Sequence, residues 1–184
     1  MRWLPVFVWI STACCATPAP RLSLAEMALG SEYIVEGSVL RSWTGWDPMH
    51  QLVWTHYELS VTEWLKAPTP VERTITVSEP GGTSGSITTR SNEAIPYSLG
   101  EQVIVLAWRT PERFLRAAGN GQGKFTVTGF AGSRDRRLHW SPHTVDMLRG
   151  AREPDELLDG MRLDEFEIYV RHLIRSAGGR QTAH

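Results

Sequence analysis

The alternation of apolar and polar positions divides the chain into a short helix, a long β-rich middle and a helical end. In "RLSLAEMALG" (21–30), Leu24, Met27 and Ala28 share a helical face, Ser23 and Glu26 have capping-box spacing, and Gly30 is a natural stop. Runs rich in β-branched and aromatic residues follow at "YIVEGSVL" (33–40) and "QLVWTHYELSVTEWLK" (51–66). The second run places Val53, Tyr57, Leu59 and Val61 on one face and His56, Glu58, Ser60 and Thr62 on the other. That polar face is expected to be wet.

Shorter strands are predicted at 74–79, 86–89, 101–108, 113–118 and 123–129. The run Val103 to Leu106 is apolar on both faces, which predicts a central strand covered from both sides. Further on, "RLDEFEIYVRHLIRSAGG" carries Leu163, Phe166, Val170, Leu173 and Ile174 at helical spacing and is expected to stop at Gly178-Gly179. Five to seven short strands with a helix at each end predict a mainly β domain. The architecture that suits them is a small barrel, closed or partly open, with a short N-terminal helix and a C-terminal amphipathic helix.

The chain has 184 residues, about one domain's worth, and a domain of this size buries a sizeable core without cross-links. Nineteen basic residues against 20 acidic ones give a net charge of -1, so no basic field favours nucleic acid. Residues 1–16, with Arg2, an apolar run from Trp3 to Ile10 and small residues after it, have the layout of a secretory signal peptide. Cleavage is expected after Ala16, or as late as Ala19. Both cysteines, Cys14 and Cys15, fall in this segment, so the mature chain would hold no disulfide. A lipoprotein signal, lipidated at Cys14 or Cys15, is the competing reading and would anchor the domain to a membrane. The expected organisation is a signal peptide, a barrel domain over 21–140, a helical segment over 141–177 and a flexible tail over 178–184.

"EPGGTSGS" (79–86) is the most glycine-dense stretch and follows a predicted strand. A phosphate loop would need a closing lysine and hydroxyl residue and a helix behind them, and neither is present. The stretch is expected to join two strands, with Pro80 ending the first and the glycines permitting positive φ. Gly81 and Gly82 are candidates for partner contact, because loops between barrel strands are where such folds usually bind.

Eight tryptophans are present, two of them, Trp3 and Trp9, in the leader. Alternation puts Trp54 on the polar face of the second long strand, near Trp43 and Trp46. Two readings stand. The rings pack beneath a loop or the terminal helix, or they form, with His56, a recognition patch for a protein or a sugar. Other candidates are weaker. His139 and His143 are separated by Pro142 in what reads as a helix cap, "GTSGS" lacks a strand-to-helix elbow, and Glu153, Asp155, Glu156 and Asp159 read as a solvated helix start.

Taken together, "GSEYIVEGSVL", "WTHYELSVTEWLKAP", "ITVSEPGG", "IPYSLGEQVIVLAW" and "GQGKFTV" resemble the OB-fold domains of the netrin-module and tissue inhibitor of metalloproteinases superfamily, in particular its secreted bacterial relatives. The resemblance covers residues 23 to 129. It rests on the small-residue turn Gly30-Ser31, the Leu65-Lys66-Ala67 turn and the Gly100-Glu101 pair. It implies an OB-like barrel. The animal members depend on disulfides that the mature chain would lack, so inhibition of metalloproteinases does not carry over with the fold. The function expected is that of a secreted or periplasmic, non-enzymatic, monomeric module without metal or cofactor. Its expected partner is an extracellular or envelope protein such as a secreted hydrolase, with a polysaccharide as the alternative. The expected contact residues are Trp43, Trp46, Trp54, His56, Gly81 and Gly82.

Overall fold

A computed structural model describes residues 21–68, 71–130, 132–148 and 158–181. The expected signal segment, with both cysteines and the cleavage site, lies outside the described residues, as do Glu153, Asp155 and Glu156. No helix among the described residues is long and apolar enough to cross a membrane.

The chain opens with α1 (Leu24–Gly30), capped as expected: Ser23 Oγ accepts from the Glu26 amide and Glu26 reaches back to the Ser23 amide. Strands β1 (Tyr33–Trp46), β2 (Val53–Lys66) and β3 (Thr74–Pro80) then form an antiparallel meander. β1 runs six residues past its predicted end, from Arg41 through Trp46, and bends at register shifts against β2. Gly37 permits the closest approach, since a Cβ there would lie 2.4 Å from the Ser60 carbonyl oxygen. A small hairpin follows, β4 (Gly82–Ser84) with β5 (Ile87–Thr89), separate from the main sheet.

β6 (Gln102–Arg109) returns to pair with β1. Its other edge takes two strands in turn. β7 (Leu115–Ala117) pairs with Ala107–Arg109, and β8 (Lys124–Thr128) pairs with Val103–Val105 after the single turn α2 (Ala118–Gly121). β9 (Arg137–His139) adds to β8. The order is β3-β2-β1-β6-β8-β9, with β7 also on β6. Of the two forms expected, closed or partly open, the closed one is excluded among the described residues, where the ladder does not close: β3 ends a large, mainly antiparallel sheet, and β7 lies beside it without a ladder.

As its apolar run required, β6 is covered on both faces. Ile104 and Leu106 join a core with Met27, Phe125, Leu138 and Phe166. Val103, Val105 and Ala107 join a second one with Val35, Leu59, Val77 and Tyr97. α3 (Pro142–Met147) starts at Ser141, whose hydroxyl caps Thr144, as its Ser-Pro pair predicts. α4 (Leu163–Gln181) packs Phe166 and Val170 on the first core. It continues through Gly178 and Gly179, so the expected stop and tail boundary are corrected. A glycine ends a helix when the chain turns left-handed there, and Gly178 does not.

Candidate functional site

The free edge of β3 faces a cleft. The meander and the return strands alternate in direction, so β3 and β7 run parallel. They come together at one end, where Glu79 accepts from Arg116 Nε at 3.1 Å. Toward their N-terminal ends a cavity of about 500 Å3 lies between them, with Thr74, Thr76 and Ser78 on one wall and Arg113, Phe114 and Leu115 on the other.

The Arg113 wall is built by the β6–β7 turn. Arg113 N donates to the Thr110 carbonyl at 2.9 Å and Thr110 N to the Phe114 carbonyl at 2.8 Å, a tight hairpin whose fourth residue must turn left-handed. That residue is Arg113, with φ of 70° where glycine is usual. Arg109 braces the turn: it donates to the Arg113 carbonyl at 3.2 Å while its guanidinium pairs with Glu32 at 2.8 Å. Arg113 itself is exposed and its side chain meets no carboxylate among the described residues.

Aromatic rings line the rest. Trp43 lies opposite His56 in the β1–β2 ladder, with ring centroids 5.4 Å apart, and Phe114 stands edge-on to His56 at 5.1 Å. His56 Nδ1 is 2.8 Å from Ser78 Oγ. Burial pushes the imidazole below its ordinary value, so it is neutral at neutral pH. A hydroxyl beside a neutral imidazole can pass a proton, but no carboxylate orients the ring's second nitrogen among the described residues, and Ser78 is 1% exposed. The pair ties β2 to β3.

The structure thus brings together two of the sequence-predicted residues, Trp43 and His56. Trp43 is 40% exposed at the lip, with Arg41 stacked 5.1 Å from its ring. Trp54 is buried behind Phe114, at 5.1 Å, and Trp46 stands apart beside His50 at 6.2 Å. The three-tryptophan patch is therefore corrected to one exposed ring, and the expected wet face of β2 is corrected at one end only: Phe114 covers Trp54 and His56, while Glu58 and Ser60 are half-buried and Thr62 is exposed. Sequence reading missed Phe114 and Arg113, although the Pro-Glu-Arg of "TPERF" signals a turn.

Gly81 and Gly82 lie elsewhere, in a smaller cavity of about 380 Å3 with Glu79 and Tyr57. Both have the expected positive φ, 105° and 142°. A Cβ on Gly82 would meet Thr55 Oγ1 at 2.8 Å, so close packing of the β4–β5 hairpin requires glycine there. Two largely buried ion pairs, Glu79 with Arg116 and Glu101 with Lys124, were not revealed by alternation. Burial outweighs the Arg116 charge and raises Glu79 to about 7. Lys124, 2% exposed, donates to Glu101 at 2.7 Å and to the Pro96 carbonyl at 2.9 Å. A charged residue inside each of two predicted strands, Arg116 and Lys124, was the available signal.

One carboxylate triad, Glu36, Glu63 and Glu167, converges among the described residues. Arg136 pairs with Glu36 and Arg171 with Glu63, leaving Glu167 raised by burial and by its two acidic neighbours. His139 and His143 part company, toward Asp159 and the Asn92 carbonyl respectively. No protein-family model matches the chain, and no curated protein matches it.

Proposed function

We propose that the protein is a secreted, non-enzymatic binding module, built as a partly open OB-like barrel, that recognises an extracellular or envelope protein through the cleft beside β3. The observation that carries this reading is the cleft's composition. An exposed Trp43, a half-buried Phe114 and Arg113, which has no carboxylate partner among the described residues, meet around an open cavity. Aromatic residues and arginine are the side chains enriched at protein interfaces and at their energetic centres. The barrel reading is supported by the β1–β2–β3 meander, the return of β6 to β1 and the approach of β7 to β3.

The test is capture from the native secreted fraction on immobilised full-length protein, beside Trp43→Ala and Arg113→Ala. A defined protein lost with both variants is the expected result. Identical captures by all three would overturn the role of the cleft.

A polysaccharide is the second reading, favoured by one feature: Trp43 and Trp64 line the same cavity as the polar Glu72 and Thr74. Saturable quenching of tryptophan fluorescence by soluble polysaccharides, abolished in Trp43→Ala, would establish it in place of a protein partner.

A further inference from the structure

We infer that the partner enters the cleft as an extended acidic peptide, added as a strand along the free edge of β3 with a carboxylate on Arg113. This rests on the binding-module reading and names the form in which the partner is recognised.

The parity of the β2–β3 ladder carries the inference. Val61 N donates to the Arg73 carbonyl at 2.9 Å and Gly81 N to the Val53 carbonyl at 2.7 Å. In an antiparallel pair, residues alternate between bonding inward and bonding outward. Arg73, Ile75, Val77 and Glu79 therefore bond to β2, and Thr74, Thr76 and Ser78 direct their amides and carbonyls away from it. None of these outward groups has a backbone partner among the described residues. Half-buried Thr74 and Thr76 line the cavity, and Ser78 lines its closed end, 1% exposed.

Exposed sheet edges are usually blunted by proline, lysine or a bulge. The segment from Thr74 to Ser78 has none of these, and its register against β2 is unbroken. At Thr74 and Thr76 it offers donors and acceptors spaced about 6.8 Å, two residues of strand rise, which is the repeat of another polypeptide's main chain. A sugar has no such repeat.

Charge places the ligand's acidic group. On the β7 wall Glu32 already neutralises Arg109, so Arg113 supplies the unbalanced charge. Glu72 lies on the other wall and disfavours a second carboxylate there. The left-handed backbone at Arg113 is set by the hairpin, which fixes where its guanidinium leaves the chain.

The test begins with selection of a phage-displayed library of random nine-residue peptides on the full-length protein. The strongest binder is then synthesised with each amide N-methylated in turn. The expected result is an enriched sequence with Asp or Glu at one fixed position, weakened roughly tenfold by methylation at alternate residues and by less than about twofold at those between. Hydrogen exchange at the Thr74 and Thr76 amides should slow on saturation, and Arg113→Ala should weaken binding about tenfold. Thr76→Pro, which removes an amide that β2 does not use, should stay folded and stop binding.

Methylation effects without alternation, or unchanged exchange at Thr74 and Thr76 in the saturated complex, would overturn strand addition. If a captured protein also binds without slowing those two amides, strand addition falls while the module reading stands. If neither peptide nor protein binds at the cleft, both fall.

Discussion

Glu79 on β3 and Arg116 on β7 form a buried ion pair, 3.1 Å apart, between two strands that share no ladder. Their side chains are 2% and 9% exposed, so the sheet's open seam is pinned by charge at one end and left open at the other. Removing the acid of such a pair costs about 3 to 5 kcal/mol, because the arginine cannot shed its charge and stays buried without it. Glu79→Met should therefore lower stability by that order in urea unfolding. Adding Arg116→Met should restore much of it, and a double variant as unstable as the single one would show that the pair is not the source of the loss.

Glu79 also predicts a pH dependence. Its folded value of about 7 lies above the ordinary 4.5 because burial penalises the carboxylate more than Arg116 favours it. Between these values the folded chain holds a proton that the unfolded chain has released. The contribution is fully present below pH 4.5 and is lost as pH rises through 7, by at most about 1.4 kcal/mol per pH unit. His56, whose folded value is lowered, acts in the opposite sense, its contribution being lost as pH falls. Comparing wild type with Glu79→Gln from pH 5 to 8 separates the two. The wild type should lose stability relative to the variant as pH rises, and parallel curves would contradict the assignment.

Arg113 holds a left-handed backbone that costs a side chain about 1 to 2 kcal/mol and glycine little. Arg113→Gly should raise the urea midpoint, by about 1 kcal/mol of stability with unchanged slope, while binding at the cleft weakens. A fall in the midpoint would show that the guanidinium stabilises the fold.

Trp54 and Trp43 should respond oppositely to truncation. Trp54, 5% exposed against Phe114, should cost about 3 to 5 kcal/mol as alanine. Trp43, 40% exposed, should cost about 1 kcal/mol or less. Unfolding midpoints of the two alanine variants check this, and equal losses would place Trp43 in the core.

Export by cleavage predicts a secreted form whose intact mass begins at Thr17 and which contains no cysteine. A mass that includes residues 1–16 would refute cleavage, and a diacylglyceryl adduct at Cys14 or Cys15 would place the protein on a membrane.

Local pattern by itself determined most of the elements. Ser23 and Glu26 define the start of α1, Val103 to Leu106 identify the doubly covered strand, Ser141-Pro142 begins α3, and Gly81 and Gly82 turn with positive φ. Each of these depends on neighbours a few residues away or on burial of one side chain, and both leave a trace in composition.

What stands opposite what was decided by tertiary structure. Alternation placed Trp54 and His56 on a polar face, but whether these two are wet depends on Phe114, 58 residues after His56 and brought over them by the return of β6 to β1. The free edge of β3 likewise follows from pairing. A backbone amide has the same chemistry in every residue, so only the ladder's parity and the position of β7 decide that Thr74 and Thr76 face a cavity while Ile75 and Val77 bond to β2.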